Sequence, residues 1–322
     1  MSIFHTVLYP TDFSACAEAA RPLAFELARH ADALHLLYVD SLFGSVHHGA
    51  NVRQRLADLG EEAPVPIETV LTRDIAPAAA ILRYAESHDV GLIAMGTHGR
   101  RGLSRLLLGS TAREVVQLAP CPVLTVRPGT DDAALPALHG GAILVAVDFS
   151  DTADEALRQA LRLADAFDAH VDLLHVVEEP FRPVGGGYTL QPVYQVEPGL
   201  VRSLGDSLRE LYTEAGGEPE RLGTVEVVPG FPSRVIGETA ERLRSGLIVL
   251  GTKGLRGFEH LVMGSIAEAV VRTAPCPVLT VKTPAARTAA RAAVQAGRET
   301  SGTEPDTEPG DEAPGLRSLL AL

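Results

Sequence analysis

The chain repeats itself, and that limits what it can fold into more than any other feature. The segment HTVLYPTDFS (5–14) resembles AILVAVDFS (142–150). The segment VGLIAMGTHGRRGLSRLLLGSTAREVVQLAPCPVLTV (90–126) resembles SGLIVLGTKGLRGFEHLVMGSIAEAVVRTAPCPVLTV (245–281). The first pair is offset by 136 positions and the second by 155, so the second copy holds about 19 extra residues between the two blocks. They are placed at Glu178–Gly199, a Pro/Gly/Tyr-rich stretch that reads as a loop. The copies are residues 1–128 and 140–283, joined by the linker Arg127–Gly140, with a tail over 284–322. The 322-residue length is therefore two small domains of one kind.

Each copy alternates apolar runs with helical segments. In copy one the expected strands are Ile3–Tyr9, Leu34–Val39, Pro66–Leu71, Val90–Met95 and Pro122–Val126. In copy two they lie near 142–147, 170–177, 224–228, 246–250 and 277–281. Continuous apolar strands separated by helices predict a parallel sheet covered on both faces. Right-handed crossovers make this an α/β, doubly wound sheet, in which ligands bind beyond the carboxyl ends of the strands.

The loop after the fourth strand carries the chemistry. Copy one reads Gly96-Thr-His-Gly99, nine residues, then Gly109-Ser110. Copy two reads Gly251-Thr-Lys-Gly254, nine residues, then Gly264-Ser265. Glycines let backbone N–H groups approach an anion and adopt positive φ. Ser110 and Ser265 open helices whose N-termini present unpaired N–H groups and a positive dipole end. Thr111…Glu114 and Ser265…Glu268 have capping-box spacing. The loop is neither the Walker sequence nor the dinucleotide fingerprint. Asp12 and Asp148 follow the first strand of each copy. There a carboxylate can accept from an adenine amino group or a ribose hydroxyl, or can cap the next helix; spacing leaves both open.

These residues together resemble the universal stress protein family in its tandem two-domain form. They are the Asp-Phe-Ser after strand one, the Gly-x2-Gly-x9-Gly-Ser loop and the terminal Pro-Cys-Pro-Val strand. The loop motif is that of the family's ATP-binding branch. The resemblance covers about residues 1–283. It implies two five-stranded parallel sheets of order 3-2-1-4-5, one ATP site per copy, and a pairing of the two copies through their last strands. It implies that Asp12 and Val39 hold adenine and ribose, and that Gly96, Gly99, Gly109 and Ser110 hold ribose and phosphates. The matching positions in copy two are Asp148, Val176, Gly251, Gly254, Gly264 and Ser265. Copy two departs from the pattern: it reads Ala146-Val147-Asp148 where copy one has Pro10-Thr11-Asp12, so the Thr11 hydroxyl beside the base is lost, and the insertion at 178–199 could cover or fill the second site.

Composition excludes several function classes. With 41 acidic and 28 basic side chains the net charge is −13, which disfavours nucleic acid as a partner. No apolar run reaches the roughly 18 residues of a membrane helix, so no membrane partner is expected. The start lacks a secretory pattern, and three cysteines are too few for a disulfide framework, so a cytoplasmic protein is expected. Six carboxylates and no base lie between Glu299 and Glu312. Ala285–Gly297 could form a short helix, and the rest of the tail reads as disordered.

The remaining candidates are weaker. His98 and Lys253 share one loop position, with Arg100, Arg101, Arg105 and Arg256 nearby, and would either pair with phosphate or stay solvated. His47 and His48 are adjacent, so a metal site is not expected there. Cys16, Cys121 and Cys276 read as packing residues.

The expected function is an ATP-binding, stress-responsive sensor or regulator. Mg²⁺ would bridge the phosphates, two such chains would associate, and a regulatory protein partner of unknown identity would read the state. No base is placed to activate water, so hydrolysis would be slow at most and no residue is assigned as catalytic. Two alternatives stand beside it. One is a nucleotide-hydrolysing or nucleotidyl-transfer enzyme drawing on Tyr188 and Tyr194 of the insertion. The other is a dimerisation module without nucleotide.

Overall fold

The apolar runs become buried strands and the Ala/Leu-rich segments become helices, in the same order in both copies. The computed structural model describes residues 2–41, 49–98, 108–130, 137–178, 181–184, 187–190, 199–252 and 263–301. Copy one runs β1 (Phe4–Pro10), α1 (Ala15–Ala28), β2 (Ala31–Ser41), α2 (Gly49–Glu61), β3 (Ile67–Asp74), α3 (Pro77–Ser87), β4 (Leu92–Gly96), α4 (Ser110–Leu118) and β5 (Val123–Val126). Copy two runs β6 (Ala142–Ala146), α5 (Asp151–Phe167), β7 (His170–Val177), a hairpin β8 (Phe181–Val184) and β9 (Gly187–Leu190), and α6 (Leu200–Glu214). It continues with β10 (Leu222–Pro229), α7 (Pro232–Leu243), β11 (Leu247–Gly251), α8 (Ser265–Thr273) and β12 (Val278–Val281), and α9 (Pro284–Ser301) follows.

The strands make one ten-stranded sheet, β10-β7-β6-β11-β12-β5-β4-β1-β2-β3. Each copy therefore has the expected order, third-second-first-fourth-fifth, with parallel neighbours throughout. The copies meet at β5 and β12, which pair antiparallel with Leu124 opposite Leu279. Those two leucines are equivalent residues of the repeat, so a pseudo-two-fold axis passes between them. A last strand with an open side presents unpaired backbone groups, and each copy satisfies the other's. Thr125 Oγ1 donates to Val278 O at 3.2 Å and Thr280 Oγ1 to Val123 O at 3.1 Å, which ties the seam a second time.

One face of the sheet is covered by α1, α2, α5 and α6, packed on Phe4, Val7, Leu124, Ile143, Val249 and Leu279. The other carries α3, α4, α7, α8 and part of α9, packed on Leu8, Ile93, Val123, Ile248 and Val278. Both cores draw residues from both copies. Central strands such as β4 are buried at every position, which is why they read as unbroken apolar runs.

One expectation is corrected. The insertion at Glu178–Gly199 is not all loop, because β8 and β9 pair antiparallel, with Phe181 opposite Leu190. The sequence Gly185–Gly187 between two β-prone runs is a hairpin signal. The short helix that Ala285–Gly297 could form is present as α9, which runs four residues further, through Ser301; residues 302–322 lie outside the described residues. Ala286 and Ala290 are buried, and Arg291 and Gln295 bond Asp89 and Glu86 at 2.5 Å, so α9 packs across copy one. Among the described residues no helix is long and apolar enough to cross a membrane.

Candidate functional site

At the carboxyl edge of each half-sheet the first strand lies between the second and the fourth. This brings Asp12, just past β1, beside Val39 near the end of β2 and Gly96 at the end of β4. In copy two Asp148, Val176 and Gly251 fall at the corresponding ends of β6, β7 and β11. Val39 and Val176 are half-buried and pack on the core below them. Gly99 and Gly254, with Lys253, Arg100, Arg101, Arg105 and Arg256, lie outside the described residues, as does Tyr194.

The strand-to-helix corners are strained. Phe13 and Phe149 hold φ of 57° and 58°, the left-handed region that bulky residues rarely enter. The turn is closed by side chains: Asp12 Oδ1 accepts from Ser14 N at 3.0 Å, and Thr11 Oγ1 accepts from Phe13 N at 3.0 Å. In copy two Asp148 Oδ1 accepts from Ser150 N at 3.2 Å and from Ser150 Oγ at 2.5 Å. Val147 has no hydroxyl to offer Phe149 N. Instead, His175 Nδ1 donates to the Val147 carbonyl at 2.8 Å.

The two readings of the aspartates separate here. The N-caps of α1 and α5 are Ser14 and Ser150, which accept from Ala17 N and Ala153 N. The capping role therefore belongs to the serines. Asp12 and Asp148 stand two residues upstream, at the strand ends. A carboxylate has about four lone-pair positions, so an Asx turn does not exhaust its capacity to accept.

The long loop is pinned at its base in both copies. Gly109 N donates to Thr97 O at 2.9 Å, and Gly264 N donates to Thr252 O at 2.8 Å. Thr97 N and Thr252 N in turn bond Val126 O and Val281 O, at 3.1 and 2.9 Å. Thr97 and Thr252 are buried and were not singled out from the sequence; a threonine following the same glycine in both copies was the available signal.

Beyond the pinned base, α4 and α8 begin at Ser110 and Ser265 with glycine N-caps and no side-chain cap. The capping boxes expected at Thr111…Glu114 and Ser265…Glu268 do not form. Glycine occupies the N-cap, Ser110 and Ser265 are already helical, and Glu268 is engaged by Arg113 of the other copy. The first backbone bonds of these helices start at Arg113 N and Glu268 N. The N–H groups of 110–112 and 265–267 thus precede them and face the carboxyl edge, the standard arrangement for holding an anion.

The glycines do not act as expected. Gly109 and Gly264 sit at φ −61° and −65°, open to any residue, and neither Gly96 nor Gly251 has positive φ. Gly96 is a packing glycine: a Cβ there would lie 2.2 Å from the Cys16 carbonyl oxygen. Cys16, in the first turn of α1, consequently forms one wall of the site. Burial, then the nearby Asp12 charge, pushes its thiol pKa up. Burial, then Arg127, lowers the pKa of His98, whose Nδ1 bonds Thr97 Oγ1 at 2.9 Å. Burial and Arg127 thus both disfavour the charged ring considered as a phosphate-pairing cation at this position. Cys121 and Cys276 are buried below β5 and β12, and all three cysteines are free thiols.

A sequence model described as the universal stress protein family matches residues 4–127 and again 141–282. The chain belongs to the universal stress protein family. A universal stress protein of Methanocaldococcus jannaschii is 36% identical over 145 residues, 44% of this chain and 82% of the relative. Universal stress protein E of Salmonella typhi is 27% identical over 235 residues, 69% of this chain and 70% of the relative. Among solved structures, a universal stress protein from Archaeoglobus fulgidus superposes with a TM-score of 0.61 at 21% identity, over 86% of this chain and 98% of that one. At that identity the likeness concerns the fold, and it extends through both universal stress protein copies.

Proposed function

We propose that this universal stress protein is a two-site ATP-binding regulator of a stress response, acting in the cytoplasm and turning ATP over slowly at most. The observation that carries the reading is the pair of uncapped helix N-termini. Each sits behind a loop pinned to its strand and beside a strand-end carboxylate, in both copies. The triphosphate would lie against the N–H groups of 110–112 and 265–267, with Asp12 or Asp148 accepting from the base or ribose. Val39 and Val176 would pack on the same nucleoside, and Gly99 and Gly254 belong to the same loops. Among the described residues no group of three or more His, Cys, Asp or Glu could hold a metal ion. Mg²⁺ would accordingly be held through the phosphates, its usual manner with nucleotides. Slow turnover follows from the absence of a base assigned to activate water. Self-association of the chain and a protein partner that reads the loaded state complete the proposal.

Native mass spectrometry of the purified protein tests it. The expected result is two ATP per chain, falling to one in Asp12→Ala, with turnover far below the roughly 1–10³ s⁻¹ of ordinary enzymes. Zero ATP, repeated in calorimetry, would sink the reading in favour of a dimerisation module.

A further inference from the structure

We infer that the two nucleotide sites are coupled to each other through two short helices and two cations placed at the seam; this rests on the nucleotide reading above. Helix α4 begins at Ser110, in site one. Its C-terminal carbonyls Val116 O and Ala119 O accept from Lys282 Nζ at 2.8 and 2.9 Å. Lys282 is buried and directly follows Val281, the residue whose carbonyl holds Thr252 of site two. The relation is mirrored. Helix α8 begins at Ser265, in site two, and its C-cap carbonyl, Ala274 O, accepts from Arg127 Nη1 at 2.7 Å. Arg127 directly follows Val126, whose carbonyl holds Thr97 of site one. Arg127 and Lys282 are equivalent residues of the repeat, each reaching across the seam into the other copy.

Each helix therefore presents its N-terminus to one site and has its C-terminus gripped from the strand end of the other. Nine residues make a rod about 13.5 Å long, short enough to move as a unit. Cations at a helix C-terminus complement its dipole, as an anion does at the N-terminus. Charge-assisted bonds from a buried ammonium are costly to leave unmade. A phosphate that draws the α4 N-terminus toward it would thus pull Lys282, and with it the Val281–Thr252 junction at the base of the other loop. Packed interiors pass such shifts on rather than absorbing them. Arg127 and Lys282 act here as positioning residues; neither is assigned a contact with nucleotide.

The test uses the full chain with site one closed by Ser110→Glu. A carboxylate at that helix start suits the dipole but repels phosphate. Native mass spectrometry should then count one ATP per chain. Hydrogen exchange should show the amides at 111–113 changing about fivefold or more when ATP loads the distant site two, the low end of usual site-to-site coupling. Adding Arg127→Met, which removes the link from α8 to the Thr97 junction of site one, should abolish that response while one ATP still binds, and Arg127→Lys should keep it. The mirrored chain, Ser265→Glu with Lys282→Met or Lys282→Arg, reports the same at 266–268 and serves if Arg127→Met fails to fold. ATP bound with no change at the far helix, or a change that survives loss of the cation, overturns the coupling alone. Wild-type chain that binds no ATP overturns the nucleotide reading and the coupling with it.

Discussion

Single residues at the edge of the sheet divide into those that the fold requires and those that it leaves free for the proposed ligand. The glycines show the division. Gly96 is required by α1, because a methyl group there would meet the Cys16 carbonyl at 2.2 Å. Gly109, at φ −61° and ψ 146°, has no conformational need to be glycine. Gly96→Ala should therefore cost about 1–3 kcal/mol of stability through overpacking, read as a lower urea midpoint. Gly109→Ala, an N-cap change worth about 1 kcal/mol or less, should lower the midpoint less and weaken ATP binding by blocking close approach. The reverse pattern would mean that Gly96 serves the ligand and Gly109 the fold. Sequence reasoning placed both glycines correctly in the chain. It assigned them one purpose, because a pattern of spacings does not say which atoms come near.

Among the elements, the last strand of each copy is the most constrained. β5 and β12 follow Pro-Cys-Pro, and each cysteine is buried where its thiol cannot easily ionise. Burial pushes both the Cys121 and the Cys276 thiols up to about 12, from an ordinary value of 9.0. A raised folded-state pKa gives stability that is complete below pH 9 and is lost as pH rises from 9 toward 12. Each thiol should remove up to about 1.4 kcal/mol per pH unit in that window. Urea unfolding at pH 8, 9 and 10 should show wild-type stability falling more steeply than that of the Cys121→Ala/Cys276→Ala variant. Parallel slopes would show that the thiols ionise as easily folded as unfolded. Helix starts also belong to this scale. α1 and α5 begin at serine caps within the Asp-Phe-Ser signal, whereas α4 and α8 begin at glycine N-caps, which have no side chain to accept. Capping-box spacing was present at both of the latter, but the N-caps fall two residues before Thr111 and one before Ser265, which made it irrelevant.

For the whole molecule, the seam decides whether the repeat is two domains or one body. Ten strands form one sheet, and each face has one core shared by both copies. The chain should unfold in a single transition with equal calorimetric and van't Hoff enthalpies. Leu124→Ala, at the axis, should lower its stability by about 2–5 kcal/mol without splitting the transition. Two separate transitions in the wild type would contradict a shared core. Residues on the axis meet their own equivalents, and here the tandem arrangement permits what two identical copies could not. Arg113 and Glu268 occupy the same repeat position and pair with each other, where identical copies would oppose like charges.

The sequence by itself determined the repeat, the parallel α/β character of each half, the loops after the fourth strands and the carboxylates beside them, while the strand order came from the family resemblance. These are local patterns of apolar runs, glycines and caps, and each is written twice. The tertiary structure alone decided the rest. It showed that serine rather than aspartate caps the first helices and that phenylalanine rather than glycine takes the left-handed corner. It also turned part of the insertion into a hairpin and laid α9 across copy one. The grip of Arg127 and Lys282 on the opposite helices belongs with these. The α9 contacts and the two grips join positions more than a hundred residues apart, and the caps and corners turn on the residue at which a helix starts; neither has a period that a linear sequence can display, whereas the hairpin had a local signal in Gly185–Gly187.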